Sequence, residues 1–598
     1  MAAVSRMRLT AVLLSALLAV AGGDRGAAAA PQLPDLTTVA ERSGDVRTGR
    51  YDEAVALCGA FERAFPRKAR CTSFGTSPEG RKLLALVVST SGALEPAAAR
   101  KQNRPVILFQ GGIHAGEIDG KDAGFRVLRD ALQGKVAPRA LDTITLVFVP
   151  IFNVDGHERF GKHNRANQRG PEEMGWRTTA QNLNLNRDYA KGEAPEMQAM
   201  LALLLEWDPV LYVDLHVTDG AKFRHDVSIT TEPAEVPGHP LAPAARKLRA
   251  DVVAALAAKD HLPLEFYPSF VGDDDPTSGF AVGAAPPRLS TPYWALRDRL
   301  GLLVETHSWR TYPERVRATY DTLVAILELA RDEAREWVDL VRAQDEAATR
   351  VGGSDLAVDF KSGEAKTTID FLGYAYEREP SPASGGTRIV YDEKRPEVWK
   401  VPLVTEVKPT AVVRVPRAGY LVPPAWAELV ARKLALHGFR TRRVTEPRAH
   451  VAVETFRIDE LGLAARSFEG RQRTAPKGQW IAGQRDIGPG WLFVPVAQHA
   501  AKLLVHLLEP QAPDSLVAWG FLNAAFEQKE YVEGYVLEEL AERMLADDAK
   551  LRAEFLERLA KAPEFRADPA RRLDFFYSRS PYLDTRKSEV PILRVDAF

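Results

Sequence analysis

The chain has 598 residues, more than one ordinary hydrophobic core holds, so two or more domains are expected. Hydrophobic residues make up 45% and charged residues 27%, the balance of a soluble globular protein. Lysine and arginine total 79 against 80 aspartates and glutamates, so no net charge steers the chain toward nucleic acid or an anionic membrane surface.

Residues 1–30 are expected to be a signal peptide. Arg6 and Arg8 form a positive start, and Leu9–Ala21 is an apolar run too short to span a bilayer comfortably. Ala19-Val20-Ala21 or the Ala27–Ala30 run supplies the cleavage site, with an uncleaved membrane anchor as the alternative. No cysteine precedes Cys58, which excludes a lipid anchor there, and no later stretch is apolar enough to cross a membrane. The mature protein is therefore expected to be exported, to the periplasm or the extracellular space. Its two cysteines, Cys58 and Cys71, either close one small loop in an oxidising compartment or stay as buried thiols.

Tyr51–Pro66 has helical apolar spacing, and from Arg81 strands and helices alternate, which predicts an α/β layer fold. Strands are expected at Leu83–Ser89, Pro105–Phe109, Thr143–Ile151, Val210–Leu215 and Leu300–Val304. Helices are expected at Asp122–Leu132, Pro195–Trp207 and from about Pro313 to Ala348. Near Gly352-Gly353 the texture changes to runs rich in valine, proline and threonine, with a strand at Thr410–Val415 and a helix at Pro423–His437. From Val494 the pattern turns helical again, then ends in a charged stretch and the segment Tyr577–Phe598. A boundary near 350 separates residues 31–350 from a β-rich, α+β accessory region at 351–598.

The chemistry concentrates in Gln110-Gly-Gly-Ile-His114-Ala-Gly-Glu117, where an imidazole and a carboxylate suited to Zn²⁺ follow an apolar strand and a glycine turn. The spacing alone is weak, because His506-Leu-Leu-Glu509 repeats it inside an apolar helical run with no third ligand. His216 ends a second strand, Glu305 a third, and Asn153-Val-Asp-Gly156 follows a fourth. In an open α/β sheet such strand ends converge on one crevice.

These motifs, with Asn184-Leu-Asn186-Arg187 and Asp214-Leu-His216, stand in the order found in the carboxypeptidase A-like zinc peptidases, which residues 50–340 resemble. The resemblance implies a mixed central sheet flanked by helices and one Zn²⁺ per chain held by His114, Glu117 and His216. It implies Glu305 as the general base and Arg165 as the arginine that steadies the oxyanion, with Arg169 as its rival. Asn186 and Arg187 match the clamp for a substrate's terminal carboxylate. For the substrate-contacting tyrosine, Tyr293 is preferred over Tyr267. The expected function is an exported metallopeptidase that removes C-terminal residues from a peptide or protein with a free carboxylate. A related zinc amidase, deacylase or cell-wall peptide hydrolase is the alternative, and a non-catalytic binding protein a third.

Overall fold

The runs Val106–Gln110 and Thr145–Val149, apolar but for Gln110 and Thr145, are buried on both faces, as a sheet covered by helices on each side requires. The computed structural model describes residues 34–598, so the signal-peptide segment lies outside the described residues. The strands assemble into an eight-stranded mixed sheet in the order 69–76, 82–88, 145–149, 106–110, 211–218, 300–307, 227–232 and 263–264. Its centre is parallel: Val106–Gln110 lies between Thr145–Val149 and Leu211–Thr218, and the last pairs with Leu300–His307.

Alternation along each strand feeds two different cores. Ile107, Phe109, Leu146 and Phe148 point into one, which is closed by the helices Tyr51–Ala64, Asp119–Leu132, Ala242–Ala257 and Tyr312–Ala348. Val106, Leu108, Val147 and Val149 point into the other, against Met197, Leu201 and Leu204 of the helix Pro195–Trp207. That second core continues without a break into Tyr420, Val422, Leu434, Leu503 and Ile592. The C-terminal half therefore covers the central sheet rather than hanging from it.

The C-terminal half builds three more sheets. One has six strands, in the order 442–443, 492–495, 419–422, 589–595, 448–463 and 474–487. A second is the hairpin Lys366–Pro380 and Thr387–Val404, whose last residues, Leu403 and Val404, pair with Phe280 and Ala281 of the N-terminal half. Asp355–Ser362 pairs with Val407–Arg414. The N-terminal helices and strands expected from periodicity lie within a few residues of where they are observed. Local periodicity does not anticipate the long hairpin Arg448–Ile487 or the strand Glu589–Val595, because the latter's pairing partners are distant in the chain. Cys58 and Cys71 are joined by a disulfide. No helix among the described residues is long and apolar enough to cross a membrane.

Candidate metal centre and substrate cavity

Gln110 ends a central strand, and the chain then turns through Gly111 and Gly112 before the helix that starts at Asp119. Gly112 has φ +62°, a region where a side chain is strained, and a Cβ on Gly116 would sit 2.7 Å from Cγ of Arg165. The turn thus depends on glycine both for its path and for the close approach of Arg165. It delivers His114 and Glu117 beside His216, which lies two residues inside the end of the strand Leu211–Thr218. Glu305 is the register partner of His216 on the neighbouring strand.

Each imidazole turns its Nδ1 toward Glu117, at 3.1 Å from Oε1 for His114 and 2.9 Å from Oε2 for His216. The opposite ring nitrogens are held by other partners. His114 Nε2 faces Asn184 Oδ1 at 3.1 Å, and His216 Nε2 donates to Asp214 Oδ2 at 2.8 Å. Asp214 is itself held by Gln110 at 2.9 Å and by the Ser290 hydroxyl. Such outer contacts fix the tautomer that leaves Nδ1 free for a metal.

These three residues are the only His/Cys/Asp/Glu group among the described residues whose ligand atoms all lie within 4.8 Å of one another. His114 Nδ1 is buried without a hydrogen-bond partner, as a ligand atom for an ion would be. Two nitrogens, a carboxylate and an accessible cavity fit Zn²⁺ with an open position. Burial lowers His114 to about 4, which keeps its lone pair available. Burial opposes the charged form of Glu117, yet His114 and Arg165 hold that carboxylate well below its usual range. Burial also lowers His216, but Asp214 and Glu117 more than offset it and raise the imidazole well above its usual value, so metal binding there displaces a proton.

The triad opens into a cavity of about 430 Å³ lined also by Glu305, Asn186, Arg187 and Arg177. Glu305 Oε2 is buried without a partner, and burial pushes this carboxyl up to about 8 against the pull of His216. Arg187 makes no ion pair among the described residues; its guanidinium donates to the Asn186 carbonyl at 2.6 Å. Asn186 in turn accepts from the Ser290 backbone at 3.1 Å, which aims its side chain at the cavity wall.

The two arginines weighed for the oxyanion part company. Arg165 Nη2 lies 2.9 Å from Glu117 Oε1, whereas Arg169 is engaged at 2.5 Å with Glu393 on the strand Thr387–Val404. Arg177, which sequence reasoning passed over, lines the cavity and sits 3.3 Å from Glu117. Tyr293 does not line the cavity: it is buried in the second core, with its hydroxyl 2.9 Å from His437 Nδ1. Tyr267 lines the cavity instead. Asp214 could have been found from sequence, because i and i+2 on a strand share a face. Glu469, which accepts from the Asn184 N–H at 2.8 Å, could not, since it lies 285 residues away.

The second His-x-x-Glu copy is a packing feature. His506 is buried in the helix Ala501–Leu508, and Glu509 accepts from Arg594 at 2.9 and 2.6 Å and from Tyr420 at 2.8 Å.

No curated protein matches the chain. Among solved structures, it is similar to a metallo-carboxypeptidase from Burkholderia cenocepacia, at 17% identity and TM-score 0.35 over 48% of this chain and 69% of that one. It is also similar to carboxypeptidase A from Helicoverpa armigera, at 15% identity and TM-score 0.34 over 50% of this chain and 74% of that one. The family model described as zinc carboxypeptidase matches residues 54–235, which include His114, Glu117, Arg165, Asn186, Arg187 and His216 but stop short of Glu305. Over residues 54–235, less than half of its length, the chain is thus similar to the zinc carboxypeptidases.

Proposed function

We propose that the protein is an exported zinc metallocarboxypeptidase that removes single C-terminal residues from peptides. Its catalytic domain spans residues 31–350, and residues 351–598 brace that domain. The observation that carries the reading is one cavity holding the His114–Glu117–His216 set, Glu305 with its Oε2 unpartnered, and the guanidinium of Arg187, which has no ion pair among the described residues. Zn²⁺, when bound by the three ligands, supplies Lewis-acid polarisation and lowers the pKa of a water molecule.

The chain's own groups do the rest. Arg187 and Asn186 bind the substrate's terminal carboxylate, the guanidinium meeting it with two parallel N–H donors. That contact sets which peptide bond lies beside Glu305, so cleavage is confined to the last residue. Glu305, whose Oε2 has no other partner among the described residues, accepts the water proton and passes it to the departing amine. Arg165 supplies positive charge where the oxyanion develops, and Arg177 adds to it from the cavity wall. Export is supported by the composition of residues 1–30 and by the Cys58–Cys71 disulfide.

The test is mass spectrometry of a peptide library after incubation with the zinc-loaded protein. Stepwise loss of single C-terminal residues, abolished by chelation, is the expected result. Internal cuts or removal of an acyl group would replace this reading with an endopeptidase or a deacylase. Glu305→Gln should retain zinc while turnover falls by roughly 10²–10⁴-fold.

A further inference from the structure

We propose that a second cavity, built between the two halves of the chain, binds a small organic cation with an apolar body and a hydrogen-bonding far end. This cavity has a volume of about 430 Å³, the size of a small-molecule site, and neither the metal ligands nor Glu305 line it. The N-terminal half contributes the segments 232–240 and 284–296 to its walls. The C-terminal half contributes residues 355–360 with Lys502, His506 and Pro513. Ala285 and Pro292 line both cavities, so the segment 284–296 stands between this site and the metal centre. Seven of the lining residues are prolines, whose fixed φ leaves the walls little freedom to collapse or to reorder around a guest.

The polar groups of the cavity set the chemistry of its guest. His506 lines it and is only 4% exposed, yet its Nε2 has no hydrogen-bond partner. Burial lowers this imidazole to about 3, so it stays neutral and offers one donor and one acceptor. A buried polar atom left without a partner calls for one, and here the cavity can admit it. The cations around the cavity are already engaged: Lys502 pairs with Asp298, and Arg288 lies 3.3 Å from Asp514. His239 shares Asp298 at 3.4 Å. Asp355 and Asp359, both on the strand Asp355–Ser362, have neither a hydrogen bond nor an ion pair among the described residues. The first is exposed and the second half-buried, so the free negative charge lies toward solvent while His506 lies deep. Leu296, Leu356 and Phe360 supply apolar wall. An ammonium against Asp359, an apolar body on the prolines and a hydroxyl against His506 match this layout. A carboxylate in place of the ammonium would meet like charge.

The experiment is calorimetric titration of the full zinc-loaded chain with three probes: tyramine, phenethylamine, which lacks the hydroxyl, and 3-(4-hydroxyphenyl)propionate, which reverses the charge. Tyramine is expected to bind one equivalent, about tenfold or more tighter than the propionate and roughly 3–10-fold tighter than phenethylamine. Asp359→Asn should weaken tyramine by roughly 3–10-fold, and Asp359→Glu should recover part of the loss, which separates a lost contact from a damaged fold. Arg187→Ala, which alters only the substrate cavity, should bind tyramine as wild type does. No binding of tyramine, equal binding of the propionate, or an unchanged affinity in Asp359→Asn overturns the proposal. So does a changed affinity in Arg187→Ala, which would place the amine in the substrate cavity instead. None of these readouts uses peptide turnover, so the cavity assignment and the exopeptidase reading fail separately.

Discussion

The Glu469 carboxylate accepts the backbone N–H of Asn184 at 2.8 Å, and the side-chain oxygen of Asn184 faces His114 Nε2 at 3.1 Å. A turn in the C-terminal half is thereby linked, through one residue, to a metal ligand of the N-terminal half. Arg471, two residues on, reinforces the join by pairing with Glu193. Asp514 holds Arg288, which precedes the cavity-lining Leu289 and Ser290, by accepting its backbone N–H at 2.9 Å. The C-terminal half positions the site without supplying a ligand to it.

Glu469→Ala should therefore weaken zinc binding by roughly 3–10-fold, less than the loss of a direct hydrogen-bond partner of a ligand. Glu469→Gln keeps an oxygen that can accept from Asn184 and should bind zinc nearly as wild type does. Competition with a chromophoric chelator reads both, and equal affinities for wild type and Glu469→Ala would refute the link.

Asp214 acts one contact closer. It receives the His216 Nε2–H at 2.8 Å and fixes which nitrogen is left for the metal. Asp214→Asn removes the charge and blurs that tautomer choice, so zinc affinity should fall about 10–100-fold. The same chelator titration measures it, and an unchanged affinity would show that Asp214 does not orient the ligand.

Glu509 tests whether the second His-x-x-Glu copy is structural. Its carboxylate neutralises the buried guanidinium of Arg594, with Glu454 at 3.7 Å as the only other acidic group near that guanidinium among the described residues. Glu509→Ala leaves that cation short of a partner and should cost about 3 kcal/mol. The denaturation midpoint should drop while zinc content per chain stays the same. Loss of zinc from the folded variant would mean that the copy binds metal after all.

His261 gives stability a pH dependence. Burial lowers its pKa, but hydrogen bonds to Asp226 at 2.6 Å and Asp321 at 3.1 Å outweigh that and raise it to about 9. The folded value exceeds the unfolded one, so the contribution is complete below about 6.5 and is lost as pH rises through about 9. Thermal midpoints should thus fall between pH 6 and pH 9.5, by an amount equivalent to roughly 1–3 kcal/mol from this group. His261→Gln should be less stable at pH 6 and should show a shallower fall; an identical pH profile would discard the assignment.

Much of the N-terminal half is legible in the order of its residues. The helix Pro195–Trp207 is observed at the limits its apolar stripe marks, and the long helix ends at Ala348 as its pattern predicts. The metal ligands are legible for a related reason: His114, Glu117 and His216 each sit beside or within a strand whose apolar run is strong enough to fix its position. Such signals are local, because helix and strand periodicities are set by neighbours within a few residues.

Placement against distant residues is a different matter. Tyr293 and Tyr267 are both tyrosines in the same connecting region, yet one packs on His437 and the other faces the cavity. Arg177 carries no motif, and it matters only because the fold brings it to the cavity of the metal ligands. The C-terminal half extends the second core of the central sheet, through contacts that span hundreds of residues. The residue types that can hold a metal, and the elements that carry them, follow from local chemistry and periodicity, so the chain alone specifies them. Which arginine meets Glu117, which tyrosine faces the cavity and which carboxylate is left unpaired depend on the folded arrangement, because each is set by packing between segments that no local pattern connects.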